Sequence, residues 1–410
     1  MRTPNSLLPP LAKKFGTPLY LYDWNIIQEN YKAYTQGLAG LHAQVCYAVK
    51  ANSNVQILQR LAQIGAGFDV VSGGELARVI AAGGDLSKVV FAGVGKTRAE
   101  IEMALHQPIG CFNVESEAEL YRIQSIAQTL GKVAPIAFRV NTDIMVDSHP
   151  YLCTAEKDHK FGIPQTEILA LYKTAQQLSH IKICGIATHL GSQLCSLAPF
   201  EKSLETLLTW ATTLTQAGIP LTHIDIGGGL GVAYTPDTTT LSIADLTQCV
   251  QKYFKDSPYQ IIIEPGRSLV ANAGVLLTTV EYLKQTPTKN YAILDLGMND
   301  FMRPALYGAE HTFHNLSPTT TPVQSWTLVG PVCESSDSFF THELALSPGD
   351  LLLMEGAGAY GFSMSSNYNT RCRPCELLID NGRVFIIRPR ETLAMLLAPE
   401  RTHTEVELEN

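Results

Sequence analysis

The sequence predicts an α/β chain: a (β/α)8 barrel followed by a mostly antiparallel β domain. Three observations predict it. Short apolar runs alternate with amphipathic stretches through the first two thirds of the chain, the pattern of parallel strands joined by crossover helices. Eight such units lie between Val45 and Glu264, close to the roughly 250 residues typical of a closed barrel. After Ala271 the rhythm changes to strands joined by turns such as Ser347-Pro348-Gly349-Asp350 and Asp380-Asn381-Gly382. An open doubly wound sheet is the structural rival, because alternation alone does not require closure.

In chain order, residues 1–25 carry one short strand pattern, Pro18-Leu19-Tyr20-Leu21-Tyr22-Asp23, expected to join the β domain. A helix is expected over residues 24–41. The barrel, residues 26–270, takes its strands from residues 45–49, 68–71, 89–92, 111–114, 136–140, 185–189, 223–226 and 261–264. Ser72-Gly73-Gly74-Glu75, Thr97-Arg98-Ala99-Glu100 and Ser116-Glu117-Ala118-Glu119 each follow a strand and have capping-box spacing. In such a box the hydroxyl accepts from an orphan N–H and the glutamate reaches back to the cap. The β domain, residues 271–410, takes strands from residues 275–282, 291–296, 325–328, 350–354, 375–379 and 383–387. The tail from Glu391 reads as helical and then polar.

Composition excludes several classes. Of 410 residues, 45% are hydrophobic and 17% charged, an ordinary soluble balance able to bury large cores. The net charge of -8 and a pI near 5.8 argue against nucleic acid as a main partner. Nine scattered cysteines suit a reducing cytoplasm better than a disulfide framework. Cys372 and Cys375 have CxxC spacing, but no second pair completes a zinc site, so they read as structural. Met1-Arg2-Thr3-Pro4-Asn5-Ser6 lacks the apolar core of a signal peptide. No apolar run approaches the ~20 residues that span a bilayer. A cytoplasmic protein without membrane contact is expected.

Chemistry in a (β/α)8 barrel sits at the carboxyl ends of the strands. The first barrel strand ends on Tyr47-Ala48-Val49-Lys50-Ala51-Asn52. Partial desolvation lowers a lysine's pKa and frees its amine to attack a carbonyl; a strand-end lysine reaching solvent is the plainer alternative. Asp69 lies on the second strand. His189-Leu190-Gly191-Ser192-Gln193 follows the sixth, Gly227-Gly228-Gly229-Leu230-Gly231 the seventh, and Glu264-Pro265-Gly266-Arg267 the eighth. Glycines let backbone N–H groups approach phosphate oxygens, and barrels often hold phosphate after strands seven and eight. The G-G-G-L-G spacing is not a dinucleotide fingerprint, and a tight turn would also use it. Taken together, a strand-end lysine, a phosphate cradle and a strand-end glutamate suggest pyridoxal 5′-phosphate. Lys50 would hold its aldehyde as a Schiff base. Gly227, Gly228 and Gly229, with the Gly266 and Arg267 amides, would bind the phosphate. Glu264 would keep the pyridine nitrogen protonated, which makes the ring a better electron sink. His189 would stack on the ring, unless it is a satisfied core histidine.

These stretches resemble the diaminopimelate decarboxylases, fold type III enzymes built like alanine racemase and ornithine decarboxylase. The resemblance continues through Met298-Asn299-Asp300, Arg303-Pro304-Ala305-Leu306-Tyr307 and Gly330-Pro331-Val332-Cys333-Glu334-Ser335-Ser336-Asp337. It ends with Gly358-Ala359-Tyr360-Gly361 and Ser365-Ser366-Asn367-Tyr368-Asn369. It covers the chain in order from about Pro18 to about Pro389. It implies decarboxylation of meso-2,6-diaminopimelate to L-lysine, the last step of lysine biosynthesis, by a homodimer with shared active sites. Cys333, as proton donor, and Glu334 would come from the partner subunit. Arg267 and Arg303 would bind the substrate's distal carboxylate, Tyr307 would add a hydroxyl, and Glu334 would take the distal ammonium. Tyr360 would lie near cofactor phosphate and substrate, and Asp69 and Ser192 would join the cofactor site. The chain departs from relatives after Asn141, where Thr142 replaces the usual proline. Residue-level roles in the stretch from Arg139 to Tyr151 are therefore left open. Decarboxylation of ornithine, arginine or carboxynorspermidine on the same fold is the first rival, and a non-catalytic pyridoxal-phosphate carrier the second.

Overall fold

The structure is a computed structural model and describes residues 5–144, 159–318 and 320–401. The departing stretch is described as far as Ile144, Thr142 included, and residues 145–151 of it lie outside the described residues. The chain divides into two compact units: Ile26–Ala271, and the flanking segments Met1–Asn25 and Asn272–Asn410. Among the described residues no helix is long and apolar enough to cross a membrane, and no cluster of side chains could hold a metal ion. Cys372 and Cys375 are free thiols.

The described residues open with a 3-10 turn, Asn5–Leu7, then a helix, Leu8–Phe15, and β1, Leu19–Asp23. The sequence reading assigns residues 1–25 a strand pattern and no helix; the helix carries Pro9 and Pro10. Both prolines fall in its first turn, where a missing N–H costs nothing. The next unit is a ring of parallel strands: β2 (Ala43–Ala48), β3 (Gly67–Val70), β4 (Val89–Phe91), β5 (Cys111–Val114), β6 (Ala134–Asn141), β8 (Ile181–Ala187), β9 (His223–Asp225) and β10 (Gln260–Ile263). A two-residue β7, Ile163–Pro164, pairs among the described residues with β6 alone. Pairing runs β5-β4-β3-β2-β10-β9-β8-β6, and a β5–β6 ladder closes it. Closure excludes the open sheet. The strands read as continuous apolar runs because both of their faces are covered; β3, β4 and β5 are buried at every position.

The helix starts are less uniform than their spacing implies. Thr97 and Glu100 form a reciprocal box. Ser72 and Ser116 each accept the expected N–H, but their glutamates reach one residue further back. Glu75 accepts from Val71 N–H, and Glu119 from Glu115 N–H while also pairing with Lys96. A box with aspartate, Ser242 and Asp245, completes itself instead.

His223 opens β9 with its ring packed on Gly185, where a Cβ would come within 2.3 Å of it. Its Nε2 is buried without a partner, and burial pushes its pKa down to about 4. A base whose folded pKa is depressed contributes stability above its unfolded pKa, near 6.5, and loses it as pH falls through about 4. Protonation is therefore expected to cost roughly 2–3 kcal/mol between pH 7.5 and pH 4.5. Urea unfolding at both pH values checks this: the difference should shrink by that amount in His223→Gln, and an equal slope in both proteins would refute it.

Among the described residues the other unit forms one nine-stranded mixed sheet around β1. Its strands are β11 (Gly274–Gln285), β12 (Asn290–Leu294), β13 (Phe313–Asn315), β14 (Gln324–Val329), β15 (Ser338–Leu344), β16 (Leu351–Met354), β17 (Cys375–Asp380) and β18 (Arg383–Arg388). β1 pairs antiparallel with β11 and parallel with β17. Every other pairing except β12–β14 is antiparallel. β13 and β15 are absent from the sequence reading. β13 has only three residues, and β15 buries just Phe339, so neither shows a clear apolar face.

Candidate active site

The carboxyl ends of the barrel strands surround a cavity of about 430 Å³. Its walls include Lys50, Asn113, Arg139, Thr188, His189 and Glu264. Lys50 sits in a single 3-10 turn, Val49–Ala51, directly after β2. Its Nζ pairs with Asp69 Oδ2; Asp69, in register with Ala48, is fully buried.

His189 lies two residues past the end of β8. Its Nδ1 accepts the Gly228 N–H at 3.1 Å, which assigns the ring proton to Nε2. Loss of water around the ring, with the Arg139 and Lys50 cations nearby, drives its pKa well below the ordinary value. The imidazole is therefore neutral. Arg139 in turn donates to the His189 carbonyl, pairs with buried Glu115 at 2.9 Å and lies over the Phe161 ring.

After β9 the backbone folds tightly against neighbouring tips. Gly227 and Gly229 have φ of +67° and +107°, a region that favours glycine. A Cβ on Gly227 would sit 2.5 Å from Thr188 O, and one on Gly229 2.5 Å from Gly191 O. Gly266 leads into a short helix, Arg267–Val270. The Arg267 guanidinium donates to Ser192 Oγ at 2.8 Å and to Tyr234 OH at 2.7 Å. The resemblance implied a substrate contact for this side chain; within the barrel unit it fastens the loop after β8.

Glu264 is 6% exposed and follows β10. Burial, then the Asp225 and Asp69 charges, raise its pKa well above the ordinary carboxyl value. Its carboxyl group hydrogen-bonds Asp225, while Oε1 is buried with no partner. Sequence reasoning missed Asp225 and its amide partner Asn113. The one available signal was a charge between the two isoleucines of a short strand, His223-Ile224-Asp225-Ile226, just before the glycines.

The remaining candidates belong to the sheet unit. Arg303 is 3% exposed, so it is not a surface arginine. Its Nη1 donates to His311 Nε2 at 2.6 Å, and His311 Nδ1 meets Glu355 O at 2.8 Å. A carbonyl can only accept, so Nδ1 carries the proton and Nε2 is free to accept from the guanidinium. His311 was not legible as Arg303's partner in the sequence. Tyr307 ends the same short helix, Arg303–Tyr307, and is half-buried. Tyr360 is half-buried with a left-handed φ of 55°. Cys333 and Glu334 are exposed. Asn369 Oδ1 accepts the Cys333 N–H at 3.1 Å, and Tyr368 OH donates to Glu334 at 2.8 Å.

The barrel and its tips define the class. Residues 25–271 match the family described as "Pyridoxal-dependent decarboxylase, pyridoxal binding domain". Diaminopimelate decarboxylase of Pseudomonas aeruginosa is 48% identical over 394 residues, covering 96% of this chain and 95% of its own. Solved structures agree. Diaminopimelate decarboxylase from Helicobacter pylori complexed with L-lysine superimposes with a TM-score of 0.91 at 40% identity, covering 96% and 98% of the two chains. The M. jannaschii enzyme in co-complex with L-lysine gives 0.90 at 37% identity, covering 96% and 94%. The chain belongs to the diaminopimelate decarboxylase family.

Proposed function

We propose that this chain decarboxylates meso-2,6-diaminopimelate to L-lysine, using pyridoxal 5′-phosphate held at the carboxyl ends of the barrel. One observation carries the reading: the Lys50 amine and Glu264, with its unpartnered carboxyl oxygen, line the same cavity. A buried oxygen without a partner costs about 1–3 kcal/mol, and a ring N–H would satisfy it. The residues fit the cofactor. Bound there, it would supply a protonated ring able to take up the electron pair left by a departing carboxylate.

The chain's own residues supply the rest. Lys50 Nζ is the nucleophilic amine, aimed by Asp69. Neutral His189, held by Gly228 N–H, offers a flat face for stacking. Gly227, Gly228, Gly229 and Gly266 allow close backbone approach to a phosphate, and Arg267, bonded to Ser192 and Tyr234, braces the loop after β8 against the one after β9. Arg303, aimed by His311, is suited to grip the distal carboxylate. Tyr307 adds a hydroxyl, Glu334 receives the distal ammonium and Tyr360 closes on the phosphate end. Cys333 returns the proton to the reacting carbon. Cys333 and Glu334 reach the site from the partner subunit of a homodimer. Their exposure in the single chain and their anchorage by Asn369 and Tyr368 support that arrangement. The enzyme acts in the cytoplasm.

Purified protein mixed with pyridoxal phosphate and meso-diaminopimelate should release carbon dioxide and L-lysine. Carbon dioxide from ornithine, arginine or carboxynorspermidine instead, or from no substrate, would overturn the assignment. Arg303→Ala removes one partner of a desolvated ion pair, a loss of ~3–5 kcal/mol. Its kcat/KM for meso-diaminopimelate should fall at least ~100-fold, with cofactor absorbance unchanged. Unaltered turnover would exclude Arg303 from the substrate site.

A further inference from the structure

We propose that Asp225 keeps a proton on Glu264 in the cofactor-free barrel, ready for transfer to the ring nitrogen of the incoming cofactor. Asp225 is a positioning residue: it acts through Glu264. The inference rests on the reading that the barrel binds pyridoxal phosphate with Glu264 at its ring nitrogen.

The geometry is that of a built pair. Asp225 on β9 stands in register with Ile262 of β10. Glu264 lies two residues further along, on the same face of the strand. Asp225 is 1% exposed. Its Oδ1 accepts the Gly227 N–H at 2.9 Å, and its Oδ2 accepts Asn113 Nδ2 at 2.9 Å. Two N–H donors favour the ionised form of a carboxylate. Two carboxyl groups in hydrogen-bond contact cannot both ionise cheaply in a dry site. The proton therefore rests on Glu264, which donates it to Asp225, and Glu264 Oε1 is left without a partner.

The groups around the pair act in the same direction or are already engaged. Asp69 on β3 adds negative charge, and Cys46 on β2 is a buried thiol whose pKa is raised by burial. Lys50 pairs with Asp69, His189 is neutral, and Arg139 pairs with Glu115. When a pyridine nitrogen meets Glu264, the carboxyl O–H gives up its hydrogen bond to Asp225 and turns to the nitrogen; the O–H bond breaks, its electron pair stays on oxygen, and an N–H bond forms. No proton from solvent is needed. Asp225 also holds the first glycine of the phosphate loop, so one side chain couples the two ends of the cofactor site.

The test uses pyridoxine 5′-phosphate, which has no aldehyde and so leaves Lys50 chemistry aside. Its dissociation constant for the apo protein is measured across pH. Linkage gives a bell with two flanks, one set by the free ligand and one by Glu264. In Asp225→Asn the Glu264 flank should move to lower pH by about one unit or more, tenfold in affinity on that side, while the ligand flank stays. The substitution is sterically mild: Asn113 can present its buried, unpartnered Oδ1 to the new amide. In Asn113→Ala, which removes a donor from Asp225, the same flank should move upward. Circular dichroism verifies folding of each variant, and Asn113→Ala decides alone if Asp225→Asn does not fold. Unmoved flanks in folded variants would overturn the role of Asp225. Failure of the wild type to bind the ligand at any pH would instead overturn the cofactor reading.

Discussion

Replacing Lys50 with arginine is expected to abolish lysine formation, lowering kcat by about 10³-fold or more, while leaving the barrel folded. The choice of arginine matters. Asp69 is fully buried and its Oδ2 pairs with Lys50 Nζ. Alanine would leave that carboxylate buried without its cation, at a cost of ~3–5 kcal/mol, and lost activity would then be confounded with lost fold. Arginine keeps the charge beside Asp69 but does not give up its proton at any ordinary pH, so it is no nucleophile. Two measurements separate the effects. Thermal unfolding of Lys50→Arg should stay close to wild type. Borohydride treatment with cofactor should label a peptide containing residue 50 in the wild type and no peptide in the variant. A variant that keeps kcat within tenfold of the wild type, or a label on any other residue, would remove Lys50 from the chemistry.

What the sequence revealed follows from how local each signal is. The barrel was legible because a strand covered on both faces must be apolar throughout, and because its tip must then break abruptly into polar residues or glycine. Lys50 after Val45–Val49 territory and Glu264 after three isoleucines stand out for that reason. Contacts made across the ring leave no such mark. Asn113 and Asp225 are 112 residues apart in sequence and meet only because β5 and β9 face one interior. His311 is eight residues from Arg303, yet nothing in the spacing shows that its other nitrogen is committed to Glu355 O. The glutamates at 75 and 119 illustrate the same limit at short range. Spacing announced a reciprocal cap, but a glutamate has reach to spare, and each took the N–H one residue further back. The helix Leu8–Phe15 left no mark in the sequence reading either, and Pro9 and Pro10 stand in its first turn.

Gly228→Ala is expected to cost at least ~100-fold in cofactor affinity, because one methyl group would fall where two barrel tips touch. The added Cβ would lie 2.2 Å from Glu264 O and 3.0 Å from Glu264 C. Those atoms are backbone, so no rotamer change relieves the overlap; the Glu264–Pro265 peptide has to move. That movement cannot stay local. Glu264 N–H donates to Gly227 O at 2.7 Å, and Gly228 N–H donates to His189 Nδ1 at 3.1 Å. The glutamate proposed to face the ring nitrogen, the histidine proposed to stack on the ring and the loop proposed to hold phosphate all shift together. Overpacking of this kind also destabilises by about 1–3 kcal/mol. Gly74→Ala is the matching control. It lies in the first turn of a helix, and its nearest neighbour to an added Cβ is Ser72 Oγ at 3.7 Å. Alanine there should be neutral or stabilising by up to about 1 kcal/mol. Fluorescence titration with pyridoxal phosphate and thermal unfolding of both variants compare the two glycines directly. If Gly228→Ala binds cofactor as tightly as Gly74→Ala, the tips are not the rigid cradle that their backbone contacts describe.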